Sequence, residues 1–287
     1  MSNQLSTIQI IEFDAMVKAA YQGRGLLRKT VRVKQNVVAG QVKFRRYKSG
    51  MATQRLPQTR VQPMGQGYAE ATATVTDWNA ADYTDVFDQS KTNIEERPII
   101  AANAARAVER REDQLIINAL DAALGSHTIA HGGTGMTTAK IRRINRLFDQ
   151  RAVPREDRFV AISAGGKEDL LGENILIDDR YVPRGSVTNG ELPAGIFGCN
   201  IIVVDERAEG GLPTSSVTVS SVVYNQRVCY AWEKNAIGLA VGLDKRVAID
   251  WVPDMTSWLV NQMFSGGAVC IDPAGVIQLE TLEAPVS

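Results

Sequence analysis

The chain of 287 residues contains no apolar run of eighteen or more residues, so no transmembrane helix is written into it. Its opening stretch, MSNQLSTIQIIEFDAM, lacks a cationic start and is interrupted by acids, which argues against a secretory signal and for use in the cytoplasm. Cysteine is scarce: Cys199, Cys229 and Cys270 are far apart, odd in number and each set in a strand-like run. That excludes a disulfide framework and predicts buried free thiols. Histidine is scarcer still. His127 and His131 stand in GSHTIAHGGTG, where the glycines imply a loop and no third ligand is evident, so no metal site is expected. Gly165-Gly166-Lys167 stops short of a phosphate loop, because position 161 is Ala where the first glycine is needed and Glu168 replaces the required Ser or Thr. No nucleophile can be paired with a base, so neither catalysis nor a cofactor is implied.

What is present is an ordinary folding composition, 44% hydrophobic and 22% charged, in a chain long enough for a large core in one irregular domain or two. The net charge of zero conceals a division. Residues 1–67 carry twelve Lys or Arg against Glu12 and Asp14, a balance of +10, and residues 68–287 carry −10. A basic N-terminal segment suits nucleic acid, whereas equal and opposite charges on one chain suit copies that bind each other.

The longest helical signal runs from Thr92 to Gly125. Asn93 with Glu96 fits a capping box, and Pro98 at the first helical position with Arg97 as cap is the alternative. Ala101, Ala105, Val108, Leu115 and Ala119, widened by Ile116, Leu120 and Ala123, form the apolar stripe, with Asn103, Arg106, Arg110 and Asp113 opposite. From Pro98 such a helix spans about 40 Å, long for a helix that serves only its own core. It reads equally as a spine or as a long helix in an enzyme.

Upstream, Ile10, Phe13, Val17 and Tyr21 make residues 6–22 a short amphipathic helix, which Gly23 and Gly25 end. From Leu27 to Val75 the period changes to two: Val31 and Val33, then Val42 and Phe44, and on the return Ala69, Ala71, Ala73 and Val75. SGMATQRLPQTRVQPMGQG between them reads as a long projecting loop at the end of a hairpin. Lys43, Arg45, Arg46, Lys48, Arg55 and Arg60 line this arm, and Glu70, Asp77, Asp82, Asp85, Asp88, Glu95 and Glu96 follow it.

After the long helix, Thr137 or Thr138 caps a second helix with Ile141, Ile144 and Phe148 inward and Arg142, Arg143, Arg146 and Arg151 outward, a solvated face. RFVAIS reads as a strand, GGKEDLL as a short helix, and CNIIVVDE as another strand after a polar stretch over 174–190. SSVTVSSVVY, RVCYAW, IGLAVG, KRVAIDWV, GAVCI and GVIQLE predict a β-rich last third. The class is α+β.

This order of parts resembles the major capsid proteins of tailed bacteriophages, most closely in layout those of short-tailed phages with the Hong Kong 97 type capsid fold. FDAMVKAAYQGRGLLRKTVRVKQNVVAGQVKFRRY is similar to the arm and the start of the extended loop, and NIEERPIIAANAARAVERREDQLIINAL to the spine helix. VPREDRFVAIS and GELPAGIFGCNIIVVDE resemble the axial core, and IGLAVG to GVIQLE the returning strands. The resemblance implies an N-terminal arm over 1–26, an extended β-hairpin loop over 27–76, a peripheral domain with the spine helix over 77–137, a mixed α/β axial domain over 138–240, and a return to the peripheral domain over 241–287. It implies hexamers and pentamers of one protein enclosing double-stranded DNA in a virion head, assembled in the host cytoplasm with a portal. Because the chain opens almost at once on the arm, a separate scaffolding protein is expected. In the resembled family the loop overlies an adjacent subunit. The expected inter-subunit interface therefore sets Lys43, Arg45, Arg46, Lys48, Arg55 and Arg60 of one copy over Asp77, Asp82, Asp85 and Asp88 of another. An encapsulin-like compartment shares the fold, and a cytoplasmic α/β enzyme is the reading from another class.

Overall fold

The computed structural model describes residues 22–87, 96–123, 127–173, 192, 196–219 and 221–285. The N-terminal amphipathic stretch up to Tyr21, Asp88, the capping residue Asn93, Glu95, Gly125 and the polar stretch over 174–190 lie outside the described residues.

In chain order the first elements are β1 (Arg32–Lys34), β2 (Gln41–Tyr47), β3 (Tyr68–Thr74), β4 (Thr76–Asp85), α1 (Arg97–Asp121) and β5 (Thr128–Ile129). Then come α2 (Thr138–Gln150), β6 (Arg158–Ile162), α3 (Ala164–Leu171), β7 (Asn200–Val203), β8 (Thr214–Val219) and β9 (Val222–Glu233). The last are β10 (Ile237–Val241), β11 (Arg246–Val252), β12 (Ser257–Cys270) and β13 (Val276–Pro285). They form two sheets and a separate hairpin. One sheet has the order β1-β10-β12-β11, with β4 also on β12; the other runs β5-β13-β9-β6-β7, with β8 on β9; β2 and β3 pair alone.

α1 has 25 residues, about 37 Å, and Glu96 rather than Arg97 stands at its cap position, with no side-chain capping bond and with Pro98 in the first turn where a missing N–H costs nothing. It lies against β12, β4 and β10 and under the chain's first described residues, so only Pro98, Ala102, Asn118 and Asp121 are exposed. Val108, Ile116, Ile117 and Leu120 are fully buried, each contributing about 1.5–3 kcal/mol. α2 is the simpler case. Thr137 caps it by accepting from the Lys140 backbone N–H, and Ile141, Ile144 and Phe148 are wholly buried. The thiols are free: Cys199 and Cys229 are buried and Cys270 half-buried, and burial pushes each up to about 11.

Several elements differ from their sequence reading. SSVTVSSVVY is divided between β8 and β9, its end from Val222 running on through RVCYAW as one strand, and Gly267–Cys270 is only the end of the 14-residue β12. Its first part, SWLVNQMFS, sits between β11 and β4, where Gln262 is buried in spite of its polarity. The acidic stretch after the hairpin is β4, a full ten-residue partner of β12. Arg32–Lys34 leaves the hairpin and pairs in parallel with β10. The chain also changes sheets elsewhere than at residue 240: β10 already belongs with β12, whereas β13 returns to lie antiparallel to β9. β10 is apolar and buried throughout, and each of the two strands is paired on both sides, β10 between β1 and β12 and β13 between β5 and β9.

Candidate assembly interface

The hairpin has a fixed base and a free end. Alternation sends Val42 and Phe44 of β2 and Ala73 of β3 inward onto Ala240 and Ile271, forming a small core of their own. Phe44 can lie there because residue 238 is Gly: a Cβ would come within 2.9 Å of the Phe44 ring and of Ile271. Arg46 shares this inward face and is ion-paired with Asp272. Lys43 and Arg45 point the other way, where Glu70 across the ladder accepts from both at 3.0 and 3.1 Å. The Lys43 ammonium first, and Arg45 with it, holds the Glu70 carboxyl below its ordinary range. These three cations are thus engaged within their own chain. Beyond Tyr47, the Lys48 backbone meets the return, its N–H donating to the Gly67 carbonyl and its carbonyl accepting from the Gln66 side chain at 2.8 Å. Around Arg55 and Arg60 the tip exposes Met51, Leu56, Val61 and Met64, between 53% and 86% accessible. Apolar groups held that far from any core are the usual mark of a contact surface.

The acids do not form the single array that the sequence suggests. In β4 successive side chains alternate, so Asp77 and Asp85 share one face while Asp82 lies on the other, the face that also carries Trp78 and packs toward α1. Register adds a residue that sequence reading misses: Asp250 of β11 is opposite Leu259, which is opposite Tyr83 of β4, and so joins Asp77 and Asp85. Its signal is the alternation in KRVAIDWV, which marks a strand but does not by itself give that strand a face. A groove of about 580 Å³ opens on this side at the Asp77 end, lined in part by Asn79, Asn261, Met263 and Ser265.

The root of the N-terminal arm is held by two consecutive acids of α1. Asp113, placed opposite the apolar stripe in the sequence reading, is 1% exposed, because the stretch before β1 passes over this side of the helix. Its oxygens accept from the backbone N–H groups of Leu26 at 2.9 Å and Leu27 at 3.0 Å, and from Arg207 Nη2 at 2.7 Å. Arg207 also donates to the carbonyls of Arg24 and Gly210, both at 3.0 Å. Burial raises the Asp113 carboxyl above its ordinary value, and the backbone N–H groups and Arg207 only partly offset it. Glu112 beside it is reached by Arg28 at 3.3 Å and Lys245 at 2.7 Å. Gln22 is tied to Asn103 and Arg110, so residues 22–27 run along the helix.

The other candidates have structural partners. His131 Nδ1 accepts from the Gly133 N–H at 3.0 Å, and His127 meets Arg151. Among the described residues no three His, Cys, Asp or Glu side chains gather as metal ligands. Ser163 caps α3 by accepting from Gly166, so Gly165 and Gly166 serve a helix start.

Two sheets, a long helix against one of them and a projecting hairpin define the class of fold, α+β. The chain is similar to the capsid protein of Helicobacter pylori bacteriophage KHP30, with a TM-score of 0.75 at 14% identity over 98% of each chain. It is similar to that of cyanophage P-SCSP1u, with a TM-score of 0.71 at 15% identity over 96% of this chain and 94% of the other. For the capsid of a native GTA particle the values are 0.66 and 13%, over 97% of each. The fold is the Hong Kong 97 type. No curated protein matches the chain by sequence. The model of the family described as phage capsid protein matches residues 5–283, and the chain belongs to that family. It is a tailed-phage major capsid protein whose place is the head shell of the virion, a role that is structural and built on self-assembly. Among the described residues no helix is long and apolar enough to cross a membrane.

Proposed function

We propose that this capsid protein forms hexamers and pentamers of an icosahedral head around double-stranded DNA, and that the hairpin tip sets the register between copies. Lys48, Arg55 and Arg60 of one copy lie over Asp77, Asp85 and Asp250 of its neighbour, while Leu56 and Val61 meet the exposed Tyr83. The observation that carries this reading is the division of the hairpin, whose base is packed and ion-paired on its own body while its tip displays cations and apolar groups together. Relative to the sequence expectation, Lys43, Arg45 and Arg46 pass from the interface to the support of the arm. The α1 sheet then forms the peripheral domain, and the sheet with α2 and α3 the axial domain nearer the capsomer centre. A separate scaffolding protein and a portal complete the assembly, and the subunit turns over no substrate.

Exposed ion pairs contribute only about 0–1 kcal/mol each, so single substitutions should have small effects. Together they set encounter rate, screened over about 8 Å at physiological ionic strength. Reversing Arg55 and Arg60 to Glu should slow shell assembly, followed by light scattering, by about tenfold or more. Adding Asp77→Lys, Asp85→Lys and Asp250→Lys should restore part of the rate. Assembly indifferent to the first set, or unaided by the second, sinks the pairing.

A further inference from the structure

The reading of the shell leaves one strongly charged surface unused. On α2 the residues Arg142, Arg143 and Arg146 are all exposed, and at i, i+1 and i+4 they lie within an arc of about 100°. The one carboxylate of this helix, Asp149, is taken by Arg158 at 2.8 Å and Arg155 at 3.4 Å. Among the described residues no acid pairs with the three arginines. They line an open groove of about 620 Å³ together with Ala139, Leu147 and Gln150.

A second observation lies beside the first. Phe197 is 41% exposed and sits at φ 49°, ψ 33°, a left-handed backbone that side chains disfavour, next to Gly198 at φ 79°. Its carbonyl accepts from the Asn145 side chain of α2, and the Arg142 guanidinium stands 5.9 Å from its ring centre. The fold thus fixes an apolar ring in solvent at the border of an unpaired arginine face.

We infer that this face of α2 is where the subunit contacts the phosphate backbone of packaged DNA, without sequence preference. This rests on the proposal that the head encloses double-stranded DNA. The whole chain carries no net charge, so attraction for a polyanion has to come from local basic islands, and α2 supplies one. Guanidinium forks match phosphate oxygens, and an open groove along a straight helix suits a stiff duplex. Three contacts per copy bind weakly, which lets the duplex slide during packing, and the shell multiplies them.

The test is binding of a fluorescent DNA duplex to the purified protein by anisotropy across salt concentrations. The variant Arg142→Gln, Arg143→Gln, Arg146→Gln should bind at least tenfold more weakly. Its slope of log K against log salt should fall by nearly three, at about 0.9 for each phosphate that is no longer neutralised. Arg246→Gln, a charge control on the other sheet, should keep the wild-type slope. Should the triple variant fold poorly, the pair Arg143→Gln, Arg146→Gln should lower the slope by nearly two. A slope unchanged in either variant overturns the assignment, as does equal competition by a Glu-rich peptide of matched charge, which would make this a surface for acidic protein. Electron microscopy of the protein assembled with its scaffolding protein separates the two levels: shells from the wild-type protein with an unchanged slope reject only the DNA face, and a wild-type protein that forms no shells even with the scaffold rejects the reading beneath it.

Discussion

α1 and α2 are both helices on a sheet, yet they bury their residues by different rules. α2 has one apolar stripe and one charged face, and beyond its first turn, where Thr138 and Lys140 are buried and the Lys140 ammonium donates to the carbonyls of Thr134, Gly135 and Glu280, each side chain goes where its polarity sends it. α1 is enclosed by a sheet on one side and the arm root on another, so only four of its residues are exposed, two near each end. Two acids, Glu112 and Asp113, are buried in it at 1% exposure, each met by cations from distant parts of the chain. A helix with one neighbour can be read from its own pattern; a helix that joins several parts carries residues whose partners lie elsewhere in sequence.

The sharpest way to break this contrast is Asp113→Ala. It leaves Arg207 buried without its carboxylate and two backbone N–H groups without an acceptor, so the loss should be about 3–5 kcal/mol in denaturant unfolding. On α2 the corresponding polar change is Thr137→Ala, which removes a cap and should cost about 1 kcal/mol. A difference of less than about 1 kcal/mol between the two would show that the Asp113 clamp adds little.

Acid sharpens the comparison further. The Asp244 carboxyl is held below its ordinary value, chiefly by the hydrogen bond from Arg28, so its contribution is present above about pH 4 and is lost as pH falls through its folded value. Asp113, raised by burial, acts in the opposite sense: its contribution is full below the unfolded value and is lost as pH rises through the folded one. Stability curves between about pH 5 and 2 should therefore be shallower for Asp244→Asn and steeper for Asp113→Asn than for the wild type. Parallel curves would contradict both signs.

The same distinction explains how much is legible in sequence. The hairpin, α1, α2, β6 and α3 are readable because Val42, Phe44, Ile141, Ile144 and Phe148 each follow the period of a single element. β4 is hidden because its acids draw attention to charge, although Trp78, Ala80 and Thr84 alternate toward the core. The first half of β12 is hidden because a strand flanked on both edges, with Asn261 and Gln262 in it, has no need of a simple alternation. The candidate interface is legible in composition and not in geometry. Charge counts single out both proposed surfaces, but only register separates Asp82 from Asp77 and Asp85 and adds Asp250. Likewise, the +10 of residues 1–67 cannot say that Lys43, Arg45 and Arg46 are engaged at home.

The central claim is that the tip of the hairpin, and not its base, joins one copy to the next. Its most direct measurement is cysteine crosslinking in assembled shells with Arg60→Cys and Asp85→Cys in one chain, since Cys199 and Cys229 are buried and Cys270 is half-buried. Oxidation should yield a ladder of covalent oligomers on a non-reducing gel, and Arg46→Cys with Asp85→Cys should yield none. Crosslinking from position 46 and none from position 60 would contradict the account.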